Sequence, residues 1–555
     1  MVASIELKRY TKIMILGLIW ESTVGIFCRG KSTELEVVSV PECDSADSNH
    51  FANSDNLNYS EINSKRVSLD RWNLSSQKLI DSFPLDPIKE NYVRQVRDCI
   101  FSAVHPEPFT SAIKLVAVSK FGVWAGQLGD GRAHLLGAYT NRHGTRWELQ
   151  LKGSGKTPYS RDGDGRAVLR SSVREFLCSE ALNYLGIPTT RAASLVVSND
   201  DVKRDQFYNG SVRNEKGAIV LRVAKSWFRF GSLEILAYSG ETELLRKLVD
   251  FIIKLHFPLI NVTSSNRYLD FFSQVVTDTS YLIAQWMSVG FAHGVCNTDN
   301  FSVLSITLDY GPFGFMDFYD PNFVPNTSDD ESRYKIGNQA NVGRYNLDKL
   351  RNALKSLLNP KQQLLTEQIL KGYPDLYQTK LMELFRAKLG LIGHDNNDDY
   401  LIAYLLKLME DTRADFTMTF RQLSEITQQQ LAANSISEEY WAIQDLARHK
   451  KFSYWIKLYL SRLNRNKLDT DEARKTRMEN LNIIISFKGV NPRYILRNWM
   501  AESAIKKSER NDFSEVRFLK KILRHPFNKQ TEAEDAGYSS RPPSWATELR
   551  VSCSS

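Results

Sequence analysis

Phe291–Asp317 reads FAHGVCNTDNFSVLSITLDYGPFGFMD. Short apolar runs separate one histidine, Asn300 and three aspartates (Asp299, Asp309 and Asp317), and a Gly-Pro-Phe-Gly turn lies near the end. Carboxylate and amide oxygens held between apolar segments are the donors that a hard divalent cation takes. The stretch therefore marks a site for chemistry.

The pattern H-R-D-x-x-x-x-N followed by D-F-G, which serves phosphate transfer in protein kinases, fits it by half. His293 takes the histidine place, Asn300 the metal-binding asparagine place, and Asp309-Tyr310-Gly311 stands where D-F-G would. The aspartate that should accept the proton of the attacking hydroxyl falls on Val295, which cannot do so. The stretch is thus suited to holding Mg–nucleotide while lacking the usual base.

Upstream, Trp147–Lys152 (WELQLK) alternates apolar and polar residues and predicts a strand ending on lysine. Gly153-Ser-Gly-Lys-Thr157 does not make a P-loop, because position 150 is Gln150 and Pro158 would break the required helix. Val168–Leu185 carries a helical apolar stripe at positions 169, 173, 176, 177, 181 and 185, and Glu175 sits on that helix. Lys152 and Glu175 then match the lysine–glutamate pair that orients phosphates, against the alternative of two solvated charges. Gly126–Arg132 (GQLGDGR) and Asp162–Arg166 (DGDGR) are glycine-rich turns. Their backbone N–H groups could approach phosphate, or they could form ordinary D-G hairpin turns. Arg222 and Arg229, seven residues apart, suit a bidentate polyphosphate clamp or two surface ion pairs.

At 555 residues the chain calls for two lobes plus appendages. A hydrophobic content of 42 %, a charged content of 25 % and a net charge of +8 are those of a globular protein that binds a polyanion such as ATP, or nothing in particular. They give little support to nucleic-acid binding. Six scattered cysteines without C-x-x-C argue against a disulfide scaffold or zinc site. The apolar run Ile13–Trp20 is too short to span a membrane and reads with its basic flank as a targeting peptide. Residues 31–65 read as a linker. Asn91–Ala103 is expected as a strand, and Ile219–Val223 as another. Helices are expected over Glu243–Leu255, Leu269–Gly290, Asn346–Leu358 and Gln362–Gly390, and through 400–530. The basic residues Lys450, Lys451, Lys457, Arg462, Arg465 and Lys467 read as a solvated face, and 530–555 as an extended tail.

GQLGDGRA (126–133), the run 147–177, HGVCNTDNFSV (293–303), DYGPFGFMD (309–317), NPRYILRNWMAESAI and the final RVSCSS together resemble the selenoprotein O family. These are protein adenylyltransferases on a pseudokinase fold. The resemblance covers roughly residues 80 to 555. It implies an α+β, protein-kinase-like fold of two lobes with a helical C-terminal extension. The divisions are then 1–65 (targeting peptide and linker), 66–240 (first lobe), 241–430 (second lobe) and 431–555 (extension and tail).

The resemblance also implies roles. Gly129, Gly131, Arg132, Asp164 and Gly165 would contact ATP. Lys152, partnered by Glu175, and Arg222 with Arg229 would bind its phosphates. Asn300 and Asp309 would hold Mg²⁺, and Asp299 would be the base that activates a Ser, Thr or Tyr hydroxyl of a protein substrate. ATP lies inverted relative to a kinase, so AMP is transferred. Eukaryotic members are mitochondrial, which turns the leader toward a presequence. Cys553 stands where many animal members carry selenocysteine, implying a redox partner through that thiol. One departure concerns the first lobe. Val118-Ser119-Lys120 runs straight into Phe121-Gly122, where the family has a longer block. That departure is the argument for the alternative, an inactive pseudokinase acting as a nucleotide-binding or interaction scaffold. Val295 and the paired arginines speak against an ordinary phosphotransferase.

Overall fold

The computed structural model describes residues 82–102, 104, 113–118, 131–141, 144–160, 163–465, 471, 474 and 489–552. Two short parallel strands, β1 (Leu85–Asp86) and β2 (Phe101–Ser102), precede an antiparallel sheet. Its strands are β3 (Ile113–Val118), β4 (Ala133–Thr140), β5 (Arg146–Lys152), β6 (Ala167–Val168), β7 (Arg191–Asp205) and β8 (Val212–Ala224). The order is β3-β7-β8-β5-β4, with β6 added to β8. Helix α1 (Leu169–Tyr184) packs on β7 and β8.

The alternation read in WELQLK sorts the side chains of β5 as a pleated strand must. Leu149 and Leu151 join Leu221 and Val223 of β8 in a small cluster on one face. Gln150 and Lys152 project from the opposite face, as does Arg222, which lies directly across from Gln150 in the register. That opposite face belongs to the main core, where Val220, Leu195 and Val197 meet Val173, Phe176 and Leu177 of α1. Three polar side chains are thereby carried into a buried layer.

The chain continues through α2 (Phe230–Tyr238), α3 (Thr242–His256) and α4 (Arg267–Ser288). A two-strand hairpin pairs β9 (Phe291–Ala292) with β10 (Gly314–Phe315), so the deciding stretch is a loop closed at its base. Helices α5 (Gln339–Leu354), α6 (Pro360–Lys371), α7 (Tyr373–Lys388), α8 (Asp398–Thr412) and α9 (Phe416–Glu425) follow. Then come α10 (Gln428–Ala432), α11 (Trp441–Ala447), α12 (Phe452–Asn464), α13 (Asn498–Glu509), α14 (Ser514–Leu523) and α15 (Thr531–Asp535). The architecture is mixed: a small sheet with one helix against it, then many helices. No helix among the described residues is long and apolar enough to cross a membrane.

Four expectations are corrected. Asn91–Ala103 forms a strand only at Phe101–Ser102, because an isolated run without a full-length partner leaves its backbone irregular. Gln362–Gly390 is two helices, broken at Gly372 with Pro374 in the first turn of α7. Arg462 is buried, not solvated: its guanidinium meets Asp398 at 2.7 Å. The tail after 530 carries α15 and packs Tyr538 edge-on against Trp499, which buries it. The Lys120 junction lies outside the described residues. So do the leader, the linker and Cys28, Cys43 and Cys553. Cys99, Cys178 and Cys296 are free thiols, the latter two buried.

Candidate active site

Glu175 enters the site from α1 and Lys152 from the end of β5. The Lys152 ammonium donates to Glu175 Oε2 at 3.0 Å and to Asp309 Oδ1 at 2.7 Å. Arg222 donates to Glu175 Oε1 at 3.0 Å and to Asp309 Oδ1 at 2.5 Å, and also binds Gln150. Arg229 Nη2 reaches Asp309 Oδ2 at 2.8 Å. Three cations thus converge on one carboxylate, with a second carboxylate behind it. Burial would raise the Asp309 carboxyl pKa, but Arg229, Lys152 and Arg222 hold it well below the usual carboxylate range. Glu175 is also desolvated, yet Lys152 and Arg222 lower it.

The backbone around Asp309 is fixed by neighbours. His293 Nε2–H donates to the Leu308 carbonyl at 2.8 Å, and burial keeps the imidazole pKa low and the ring neutral. The Tyr310 N–H donates to Glu175 Oε2 at 3.0 Å. Arg174, one residue before Glu175 on α1, donates to the carbonyls of Gly311 at 3.2 Å and Phe313 at 2.5 Å, and its guanidinium lies 4.1 Å over the Phe313 ring. Helix α1 therefore grips the Asp309 loop through two successive residues.

Arg229 stands at the N-cap of α2, and the backbone on either side of it is stitched to the Phe291–Asp317 stretch: Val303 N–H donates to the Phe228 carbonyl and Phe230 N–H to the Phe301 carbonyl. Two residues past Arg229, Gly231 abuts Asp299, whose side chain is exposed. Asn300 donates its amide to the Val295 carbonyl at 2.8 Å, which leaves its Oδ1 for another partner.

The glycine turns sit beside Lys152. Gly153 N–H donates to the Arg132 carbonyl at 2.7 Å, and Ser160 Oγ donates to the Gly131 carbonyl at 2.5 Å. Gly165 has φ +71°, and a Cβ there would lie 2.2 Å from the Gly155 carbonyl carbon, so only glycine lets the two turns cross. Asp164 is engaged by Arg204, with two contacts of 2.8 Å. Gly129 and Cys553 lie outside the described residues.

The structure therefore brings together Lys152, Glu175, Arg222, Arg229 and Asp309. It sets Asp299 and Asn300 alongside through α2. Arg222 is 1 % exposed and committed to the two carboxylates and Gln150, whereas Lys152 and Arg229 keep some access. Gln150, Arg174 and Gly231 were missed in the sequence. The alternation of β5 was the available signal for Gln150, and its adjacency to Glu175 for Arg174; nothing local pointed to Gly231.

Cations converging on a carboxylate, with a second carboxylate exposed beside them, form a site suited to transfer of a phosphate ester. The chain matches the family described as protein adenylyltransferase SelO over residues 44–524, and it belongs to that family. It is similar to a protein nucleotidyltransferase YdiU of Azoarcus sp. (strain BH72), 44 % identical over 437 residues, 78 % of this chain and 81 % of that one. The protein of the same name from Flavobacterium johnsoniae is 40 % identical over 518 residues, covering 85 % and 96 %. That from Xanthomonas campestris pv. campestris (strain B100) is 43 % identical over 437 residues, covering 78 % and 82 %. These relatives carry an enzyme's name, so the inactive-scaffold reading is not favoured.

Proposed function

We propose that this protein transfers AMP from ATP to Ser, Thr or Tyr hydroxyls of other proteins, on a two-lobed kinase-like frame in which β3–β8 and α1 form the phosphate-binding lobe. The observation that carries the reading is the grip of Lys152, Arg222 and Arg229 on Asp309, with Asp299 packed against Gly231, two residues past Arg229. Lys152 and Arg229 take the polyphosphate, while Glu175 and Arg222 hold Lys152 and Asp309 in place. Gly131, Arg132 and Gly165 supply the turns beside Lys152.

Magnesium fits the donor set. Asp309 and the Oδ1 of Asn300 supply two hard oxygens. That suits an ion that keeps its waters and shares phosphate oxygens. When bound, it would neutralise charge on the transferring phosphate. Asp299, open to solvent, takes the hydroxyl proton as the new O–P bond forms at the α-phosphorus; the bond to the bridging oxygen breaks and pyrophosphate leaves. With Asp299 in this role, a valine at 295 is no obstacle. The basic leader supports a mitochondrial location, which fractionation of cells expressing the full chain tests.

The functional experiment is label transfer with Mg²⁺ and ATP carrying ³²P at either the α or the γ position. Label entering protein from α alone is the expected result. Label from γ alone would make the protein a kinase, and label from neither, in folded protein, would return the scaffold reading.

A further inference from the structure

Gly231 occupies the second position of α2, between Arg229, which holds Asp309, and the body of the helix. Its φ is not in the left-handed region, so the backbone there accepts any residue. Glycine in a helical turn is less favourable than alanine. The reason for a glycine must then be room. A Cβ built at 231 would lie 2.1 Å from Asp299 Oδ1, 3.2 Å from its Cγ and 3.6 Å from its Cα, and these three nearest atoms all belong to Asp299.

We infer that Gly231 is a positioning residue for Asp299: its bare backbone is the seat on which that carboxylate rests over the first turn of α2. The inference rests on the reading of Asp299 as the base. One helical turn then carries both functions, since Arg229 fixes the metal-side carboxylate and Gly231 fixes the proton acceptor. Alanine at 231 needs the oxygen to withdraw by about 1.3 Å to reach ordinary van der Waals contact at 3.4 Å. Asp299 is exposed and can turn away, so the fold survives while the carboxylate leaves its place. A misplacement of about 1 Å in a reacting group costs on the order of 100-fold in rate.

The test uses four full-length proteins: wild type, G231A, D299A and G231A/D299A. Their AMP-transfer kcat, ATP dissociation constant and melting temperature are measured. G231A should lower kcat by roughly 10- to 100-fold while leaving the ATP dissociation constant nearly unchanged, because Lys152, Arg229 and Asp309 are untouched. In the D299A background the same substitution should cost no further activity, and it should raise the melting temperature, since alanine is the better helix former once the clash is gone. Wild-type kcat in G231A overturns the inference. Should D299A itself keep full activity, the base assignment fails, and the seat is judged by melting alone: an equal shift from G231A in both backgrounds overturns it. If G231A does not fold, G231A/D299A should, and failure of both overturns it.

Discussion

Replacing Asp309 with asparagine is expected to tighten the binding of metal-free ATP while abolishing transfer. The carboxylate accepts from Lys152 at 2.7 Å and Arg222 at 2.5 Å and pairs with Arg229 at 2.8 Å. It therefore competes with the triphosphate for those cations. The cluster holds three positive and two negative charges, a net +1, which Asp309→Asn raises to +2. At an effective dielectric of about 20, a unit charge about 5 Å from a phosphate charge contributes roughly 3 kcal/mol. Screening and the hydrogen bonds that the amide still accepts cut this to about 1.5–2 kcal/mol, or at least about tenfold in affinity. The cost falls on the empty protein, where removing one partner of a buried ion cluster takes about 3 kcal/mol and, in a chain of 555 residues, lowers the melting temperature by roughly 3 °C. Calorimetric titration with ATP in chelator gives the first number and differential scanning calorimetry the second. Adding Mg²⁺ should strengthen ATP binding to wild type and leave the variant nearly unmoved. Folded Asp309→Asn protein that binds metal-free ATP no better than wild type would refute the competition.

Other outcomes follow from groups outside the cluster. The Lys388 ammonium is buried 4.6 Å over the Phe420 ring, and desolvation pulls its pKa down to about 7. Between pH about 7 and about 10.5 the unfolded chain keeps a proton that the native lysine has lost, so wild type should gain about 1.4 kcal/mol per pH unit relative to Lys388→Met. Urea unfolding at several pH values checks this, and parallel pH dependences would contradict it. Arg497 joins Asp317 at 2.6 Å and Asp415 at 2.8 Å, and Asp415 caps α9 through the Met418 N–H. Arg497→Ala should destabilise by about 3–5 kcal/mol in equilibrium unfolding, with part regained in Arg497→Ala/Asp415→Asn. Arg174→Lys should lower both kcat and stability, the latter by about 2 kcal/mol, because an ammonium cannot bridge two carbonyls and lie flat on Phe313. An unchanged kcat would remove Arg174 from the set that positions Asp309.

What the chain's own order made legible was what repeats or recurs locally. The two-residue period of WELQLK predicted a strand ending at Lys152, and β5 ends there. The apolar stripe of 168–185 predicted the helix that carries Glu175, and the sequence between them already paired lysine with glutamate. His293, Asn300 and Asp309 could be picked out by spacing alone. Arg222, Arg229 and Asp164 were selected as neighbours of ATP, and Asp299 as the base, without any sign of what they touch in the folded chain.

Tertiary structure decided those contacts. Arg222 meets Asp309 across 87 residues of chain and Lys152 meets it across 157, distances over which no periodicity carries information. The same holds for Arg462, which looked solvated within its basic run until α8 brought Asp398 against it. Gly231 is the sharpest instance: as a letter in a helix it is only a poor helix former, and its meaning lies in the atoms of Asp299 that fill the space a side chain would take. Secondary structure follows from preferences of neighbouring residues and can be read along the chain. The site depends on which surfaces pack together, and that depends on shape and charge from segments that meet only when the whole chain has folded.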